Sequence, residues 1–322
     1  WSKVLDDDLI QLKNDIIENW PRLAPEVQDE SEKDWSDEKI LKENWFRFGG
    51  SSVWLEKEQC YLMVSRVIYS RKHWKSYAHI SLLRVQAFDK EWNEIKGKRI
   101  AYSDILQPEN LDKELEKLDE HLGLLDCEVL DPEGSEYSSC VTKNNERYLE
   151  AQKRKKKIVS QYAITFPTIL DVDFEIQEQW SGPEDPRIIL KRGEDGTEDP
   201  VILFNMNDAS EGKRFMYGYF PHKKIDRLVK FRIRGRETKS KEKNWTPFFH
   251  RNTETHIITR GFIHFVYNHS PLEILKCSLN DGFCDVVFEA KTLEISDGSK
   301  VAGIRGGTQY VPLPDILPTV EG

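Results

Sequence analysis

Short runs of β-branched and aromatic residues, gathered into groups by glycines and charged turns, constrain this chain more than any other feature. Residues 45–48, 51–55, 61–69 and 78–88 form the first group, with Gly49-Gly50 between its first two runs. Residues 188–191 and 201–206 flank a turn over 193–199 and predict a hairpin. Residues 230–234 predict another short strand, and residues 255–259, 261–267, 273–279 and 284–290 a further meander. Such residues suit a pleated, half-buried surface. Groups of this size, repeated along a chain, predict a propeller or a sandwich, since a blade takes ~40–50 residues and four strands. No strict sequence repeat accompanies them.

Two segments carry helical periodicity. Over residues 2–20, Val4, Leu5, Leu9, Leu12, Ile16 and Ile17 recur on one face until Pro21 ends the run. A polar, acidic connector is expected to about residue 43. Over 108–125, Leu111, Leu115, Leu118, Leu122 and Leu124-Leu125 line one side. Residues 126–160 are expected to be a loop-rich insertion ending in Lys153-Arg154-Lys155-Lys156-Lys157. Such a run reads first as a solvated face and second as a contact to an anionic partner. The organisation expected is a helical segment and connector over 1–44, then a β domain over 45–322 interrupted at about 103–160.

Composition narrows the function classes. The 322 residues carry 47 basic and 56 acidic side chains, a net charge of −9, which argues against a surface built for nucleic acid or anionic membrane. Nine Trp, 11 Tyr and 15 Phe argue against disorder in a chain that is 32% charged. No stretch approaches the ~18 apolar residues of a membrane span. The sequence opens on Trp1, as expected of a processed or trimmed product. Five cysteines form no C-x-x-C pair, which speaks against zinc; Cys127/Cys140 and Cys277/Cys284 are close enough to bridge or to stay as thiols.

Four clusters hold residues fit for chemistry. In Ser181-Gly182-Pro183-Glu184-Asp185-Pro186-Arg187, two acids sit between prolines that stiffen the entrance to an apolar strand. A stiff segment can hold a carboxylate at the fixed geometry of general acid/base work. In Lys241-Glu242-Lys243-Asn244-Trp245-Thr246-Pro247-Phe248-Phe249, cations and an amide stand against aromatics, a combination that suits sugars and phosphates. Tyr267-Asn268-His269-Ser270-Pro271 ends an apolar run, and Gly303-Ile304-Arg305-Gly306-Gly307-Thr308 lets a ligand approach the backbone closely. Asp171-Val172-Asp173 has the form of a metal site found in many nucleotide-sugar transferases, but three residues recur by chance. The eight histidines show no metal-ligand spacing, and neither a P-loop nor G-x-S-x-G is present.

Taken in order, these clusters resemble the fungal β-1,2-mannosyltransferases. Phe48-Gly49-Gly50-Ser51-Ser52-Val53-Trp54, Ser65-Arg66-Val67-Ile68-Tyr69-Ser70 and residues 82–92 fit as well, so the resemblance covers roughly residues 45–315. The Glu-Asp-Pro-Arg, Lys-Asn-Trp and Gly-Gly-Thr elements are similar to those of inverting β-mannoside phosphorylases, which are five-bladed propellers. The resemblance implies Golgi type II membrane proteins with a lumenal catalytic domain and an anchor N-terminal to it. It implies transfer of mannose from GDP-mannose, with inversion, to α-mannoside chains of cell-wall mannan. Asp185 is then the catalytic base, and Lys243 and Arg305 bind phosphate. Arg187 and Asn244 join them at the donor, and Glu184, Trp245, Tyr267, Asn268 and His269 are expected to contact sugar.

An inverting transfer needs one base for the acceptor proton and stabilisation of the departing phosphate, which Arg187, Lys243 and Arg305 supply without a metal cofactor. Five blades need ~225 residues, and helices occupy much of this chain. Strands for about three blades are present, so further residues or a second fragment are expected to complete the propeller. The alternatives are a β-mannoside phosphorylase and a non-catalytic carbohydrate-binding propeller.

Overall fold

The computed structural model describes residues 5, 7–178, 180–193, 195–249, 261–291 and 306–310. They form two compact units, one of residues 1–98, 166–221 and 226–322, the other of residues 99–165 and 222–225.

The larger unit begins with α1 (Leu9–Asn19), whose start is set by the Asp8 carboxylate accepting from the Gln11 N–H. The helix is therefore shorter than the apolar spacing predicts. Leu12 and Ile16 are buried, and full burial of each contributes about 2 kcal/mol. The connector is not irregular throughout. Ser36 caps α2 (Asp37–Asn44), and Asp37 and Glu38 occupy its first turn, where the helix dipole favours acids.

Three antiparallel sheets follow in chain order. The first holds β1 (Trp45–Leu55), β2 (Cys60–Tyr69), β3 (Ile80–Phe88) and β6 (Thr168–Ile169), paired in that order. Gly49-Gly50 do not separate two strands. They are a bulge within β1, with Gly49 at φ 54°. The second sheet pairs β7 (Glu184–Arg192), β8 (Glu198–Asp208), β9 (Lys213–Tyr219) and β10 (Leu228–Lys230). The third contains β11 (Arg232–Ile233), β12 (Thr246–Phe248), β13 (Phe262–His269), β14 (Leu272–Ser278) and β15 (Phe283–Glu289), in the order β11-β15-β14-β13-β12. Only its β11–β15 pair is parallel. The run expected over 230–234 is thus divided between two sheets, and the strand expected over 255–259 lies outside the described residues. Ile189, Val201, Leu203 and Met216 of the second sheet pack against Ile263, Phe265, Leu275 and Cys277 of the third.

The smaller unit pairs β4 (Lys98–Ala101) with β5 (Ala163–Phe166) and adds α3 (Leu111–Glu120) and α4 (Ser135–Tyr162). The expected loop over 126–160 is therefore mostly a helix of 28 residues. Its buried positions are Cys140, Ala151 and Val159, too few and too small to leave an apolar stripe in the sequence. The basic run lies on α4, where Arg154 pairs with Glu150 and Lys155 with Asp119. Disulfides join Cys127 to Cys140 and Cys277 to Cys284, and Cys60 is a buried thiol.

At the end of the β8–β9 hairpin, Lys230 holds Asp208 at 2.6 Å and Glu211 at 2.8 Å. Its ammonium lowers the Asp208 carboxyl to about 2, and the Arg232 guanidinium, with Lys230, lowers Glu211 to about 2. Both acids titrate lower folded than unfolded, so their contribution to stability is complete above the ordinary carboxylate range and is lost as pH falls through about 2. Carboxyl NMR titration is expected to show both ionised at pH 3, and Lys230→Ala is expected to return Asp208 toward about 3.9. An unchanged Asp208 titration in that variant would contradict the pairing.

Candidate active site

The site is built where β7 enters the second sheet. Gly182 stands before it at φ 93°, where a Cβ would overlap the Ser81 carbonyl, so only glycine fits. The ladder between β7 and β8 breaks between Glu184 and Arg187. Asp185 occupies that bulge at φ 53° and is exposed. A left-handed backbone costs an ordinary residue roughly 1–3 kcal/mol, and such outliers collect at functional sites. Aspartate tolerates it better than most. The bulge turns the Asp185 side chain outward while its neighbours point inward.

Those neighbours form a buried charged frame. Glu184 is 8% exposed, and its carboxylate lies 3.2 Å from the Arg66 guanidinium and 2.9 Å from that of Arg214. The sequence reading offered Glu184 to a sugar; the structure commits it to two arginines. Arg66 also donates to Ser81 Oγ at 2.8 Å, and Ser81 Oγ donates to the Pro183 carbonyl. Burial pulls the Arg66 guanidinium below its ordinary value, opposed by the Glu184 and Asp185 carboxylates. Two guanidiniums against one carboxylate leave one formal positive charge in the wall behind Asp185.

Asn205, on β8 and 1% exposed, ties the frame to the exposed acid. Its Oδ1 accepts from Arg214 Nη1 at 2.6 Å, which orients the amide. Its Nδ2 donates to the Glu184 carbonyl at 3.2 Å and to Asp185 Oδ2 at 3.3 Å. The sequence reading missed Asn205, Arg66 and Arg214. The signal was present as polar side chains inside otherwise apolar strands, where burial demands partners.

The donor-side residues are partly brought together. Half-buried Arg187 donates from Nε to the Gly307 carbonyl and from Nη1 to the Pro186 carbonyl at 2.8 Å. It approaches Gly49 of the β1 bulge, and the Ile188 N–H donates to Ser51 Oγ at 3.1 Å. Gly306 lies against Thr246 Oγ1, the Asn244 carbonyl and the His269 ring, so closely that a Cβ would overlap the first two. His269 Nε2 lies 3.0 Å from the Tyr310 hydroxyl. The Gly-Gly-Thr segment thus lies against β12, the end of β13 and Arg187. Asn244 holds φ 61°, Lys243 and Asn268 are exposed, and Arg305 lies outside the described residues.

Two aromatics expected to meet sugar are engaged elsewhere. Trp245 is 3% exposed, packs edge-on against Phe265 and Tyr267, and donates from Nε1 to Glu242 at 3.2 Å. It anchors the segment from inside. The Tyr267 hydroxyl donates to Glu242 at 3.1 Å, and burial, aided by that carboxylate, raises the phenol above its ordinary value. Asp171 and Asp173 pair with Arg227 at 2.6 Å and Arg22 at 3.0 Å, which accounts for both carboxylates of Asp-x-Asp.

The arrangement offers one outward carboxylate held by an amide, a positive wall behind it, and an arginine in reach of a glycine-rich segment. That suits proton abstraction from a hydroxyl beside an anionic group. The sequence model of the family described as beta-mannosyltransferases matches residues 11–217 and 211–321. Beta-mannosyltransferase 7 of Candida albicans is 34% identical over 280 residues, 85% of this chain and 36% of the relative. Beta-mannosyltransferase 1 of Komagataella phaffii is 30% identical over 326 residues, 100% of this chain and 41% of the relative. Beta-mannosyltransferase 4 of the same organism is 30% identical over 315 residues, 97% of this chain and 48% of the relative. The chain spans less than half the length of these curated relatives. With a match that runs through both halves of the sequence, the chain belongs to the beta-mannosyltransferase family.

Proposed function

We propose that this chain carries the catalytic base of an inverting β-1,2-mannosyltransferase that moves mannose from GDP-mannose to an α-mannoside acceptor. The observation that carries the reading is Asp185, exposed on a strained bulge and bonded to Asn205 in a frame of buried charge. The acceptor hydroxyl gives its proton to the Asp185 carboxylate, directly or through a sugar hydroxyl. The acceptor oxygen bonds to the anomeric carbon as the bond from that carbon to the diphosphate oxygen breaks. The electron pair leaves with GDP. Arg187, with Lys243 and Arg305, meets the negative charge that develops on the phosphate. A phosphate leaving group needs no second carboxylic acid, unlike paired-carboxylate glycoside hydrolysis.

On this reading the three sheets are successive blades of a five-bladed propeller. Their antiparallel meanders, in chain order, support it. The proposed setting is the Golgi lumen, with the protein anchored in the Golgi membrane. The test is release of GDP from GDP-mannose, dependent on an α-mannobiose acceptor, with and without EDTA. The reaction is expected to persist in EDTA; loss restored by a divalent metal would contradict charge stabilisation by arginine and lysine.

Asn205 acts through Asp185 as a positioning residue. A hydrogen bond to a charged group contributes roughly 1.5–3 kcal/mol. Asn205→Ala is expected to lower kcat about tenfold or more while the KM for GDP-mannose holds. A raised KM with unchanged kcat would contradict that role.

A further inference from the structure

Beside the entrance to β7, the rim carries aromatic side chains that the core does not use. Trp74, on the connection between β2 and β3, is 64% exposed, and Trp180 is 38% exposed. Among the described residues neither makes a ring–ring contact. This sets them apart from Tyr61 and Trp92, which stack on each other at 4.5 Å between ring centroids.

The backbone joins the two segments that carry these indoles. The Trp180 N–H donates to the Ala78 carbonyl at 2.8 Å, and the Ser81 N–H donates to the Ser181 carbonyl at 2.8 Å. Ile80 and Ser181 bridge in parallel. The Tyr77 N–H donates to the Trp74 carbonyl at 3.0 Å, closing a turn, and the Tyr77 ring in it is half-buried. Lys72 Nζ stands 4.0 Å from the Tyr77 ring centroid, and Lys75 Nζ stands 5.9 Å from that of Phe46, on β1. Trp180 is held at φ 65°, a conformation that costs free energy unless the surroundings enforce it. It precedes Asp185 by five positions, so at most about 18 Å of chain separates them.

We propose that Trp74, Tyr77 and Trp180 form an acceptor platform that binds the mannose units behind the one whose hydroxyl reacts at Asp185. The inference rests on the mannosyltransferase reading. A pyranose presents an apolar C–H face that covers an aromatic ring and hydroxyls around its edge that reach ammonium and amide groups. Trp and Tyr give large contact area with little loss of rotamer freedom, and Lys72 and Lys75 supply donors beside them. An oligosaccharide laid along this rim places its reacting end at Asp185 and its remainder over Trp180 and then Trp74. The platform selects for acceptor length, which Asp185 alone cannot do.

The test compares α-1,2-mannobiose with α-1,2-mannotetraose in the wild type, Trp74→Ala and Trp180→Asn. Asparagine is chosen because it tolerates the left-handed backbone at 180. Trp74→Ala is expected to raise the KM for the tetraose at least fivefold while kcat and the KM for the biose stay unchanged, and Trp180→Asn to raise the KM for both acceptors, more for the tetraose. Tetraose is also expected to alter the tryptophan fluorescence of the wild type, and to do so less in Trp74→Ala. That titration needs no turnover, so it reads the platform even if transfer is not observed. Wild-type KM for tetraose in both variants, or an equal fluorescence response in Trp74→Ala, would overturn the platform and leave the base assignment standing.

Discussion

Asp185→Asn is expected to lower turnover by about 10²–10⁴-fold, the usual contribution of a positioned general base. The substitution keeps the size of the side chain, and asparagine accepts the positive φ of 53° that Asp185 holds. The variant should therefore fold with the wild-type thermal midpoint. It keeps an oxygen to accept the Asn205 amide at the 3.3 Å position of Asp185 Oδ2. What it loses is the ability to take a proton from the acceptor hydroxyl. The KM for GDP-mannose should change little, because the cations proposed to meet the phosphate are untouched. Turnover within threefold of wild type, in a variant of unchanged stability, would remove Asp185 from the base role.

Glu184→Ala produces the second large effect, on stability. The carboxylate stands between Arg66 at 3.2 Å and Arg214 at 2.9 Å, and Arg214 is itself 8% exposed. Removing the shared partner leaves two guanidiniums facing each other where water has little access. Breaking a buried ion pair from one side costs about 3–5 kcal/mol, a large part of the stability of an ordinary domain. The expected result is a fall of several degrees or more in thermal midpoint, or loss of folded protein on expression. Glu184→Gln should cost less, because the amide oxygen still accepts from one arginine. Equal stabilities for wild type and Glu184→Ala by denaturant melting would contradict the frame. The two substitutions are expected to separate adjacent acids by function: Asp185→Asn lowers turnover and keeps the fold, while Glu184→Ala weakens the fold.

Much of the β structure was legible because the signal is local. The runs at 61–69, 201–206 and 273–279 fall within β2, β8 and β14, give or take a residue. The last alternates with period two, and the first two are near-continuous apolar runs rich in β-branched and aromatic residues, buried on both faces. The strand at Lys213–Tyr219 is less legible although Phe215, Tyr217 and Tyr219 alternate in it, because charged residues precede it and Gly218 interrupts it. The helix at Ser135–Tyr162 was not legible, because its burial falls on Cys140, Ala151 and Val159 alone. Its helicity comes from a long stretch without proline or glycine, a weaker cue than an apolar stripe.

The site divides in the same way. Asp185, Arg187 and the glycines of Gly306-Gly307 are contiguous in sequence with other unusual residues, and the structure puts Arg187 on the Gly307 carbonyl. Arg66, Asn205 and Arg214 come from three strands and meet only through pairing and register, which no local pattern encodes. The roles of Glu184 and Trp245 depend on burial, and burial is set by the stacking of whole sheets. A motif names the residue types that chemistry requires; the fold decides which of them face the ligand and which hold the others in place.

The linkage of the product formed from GDP-mannose and α-1,2-mannobiose separates transfer with inversion from its alternatives. The purified chain, with any fragment that co-purifies, is incubated with both, and the trisaccharide is analysed by NMR through its anomeric one-bond carbon–hydrogen coupling and its inter-residue correlations. The expected product carries a new β-anomeric mannose on O2 of the terminal unit, formed at least about a hundredfold more slowly by Asp185→Asn. An α-linked product would contradict inversion. No transfer, with mannose 1-phosphate released instead from a β-mannoside and inorganic phosphate, would contradict the transferase reading and make the enzyme a phosphorylase.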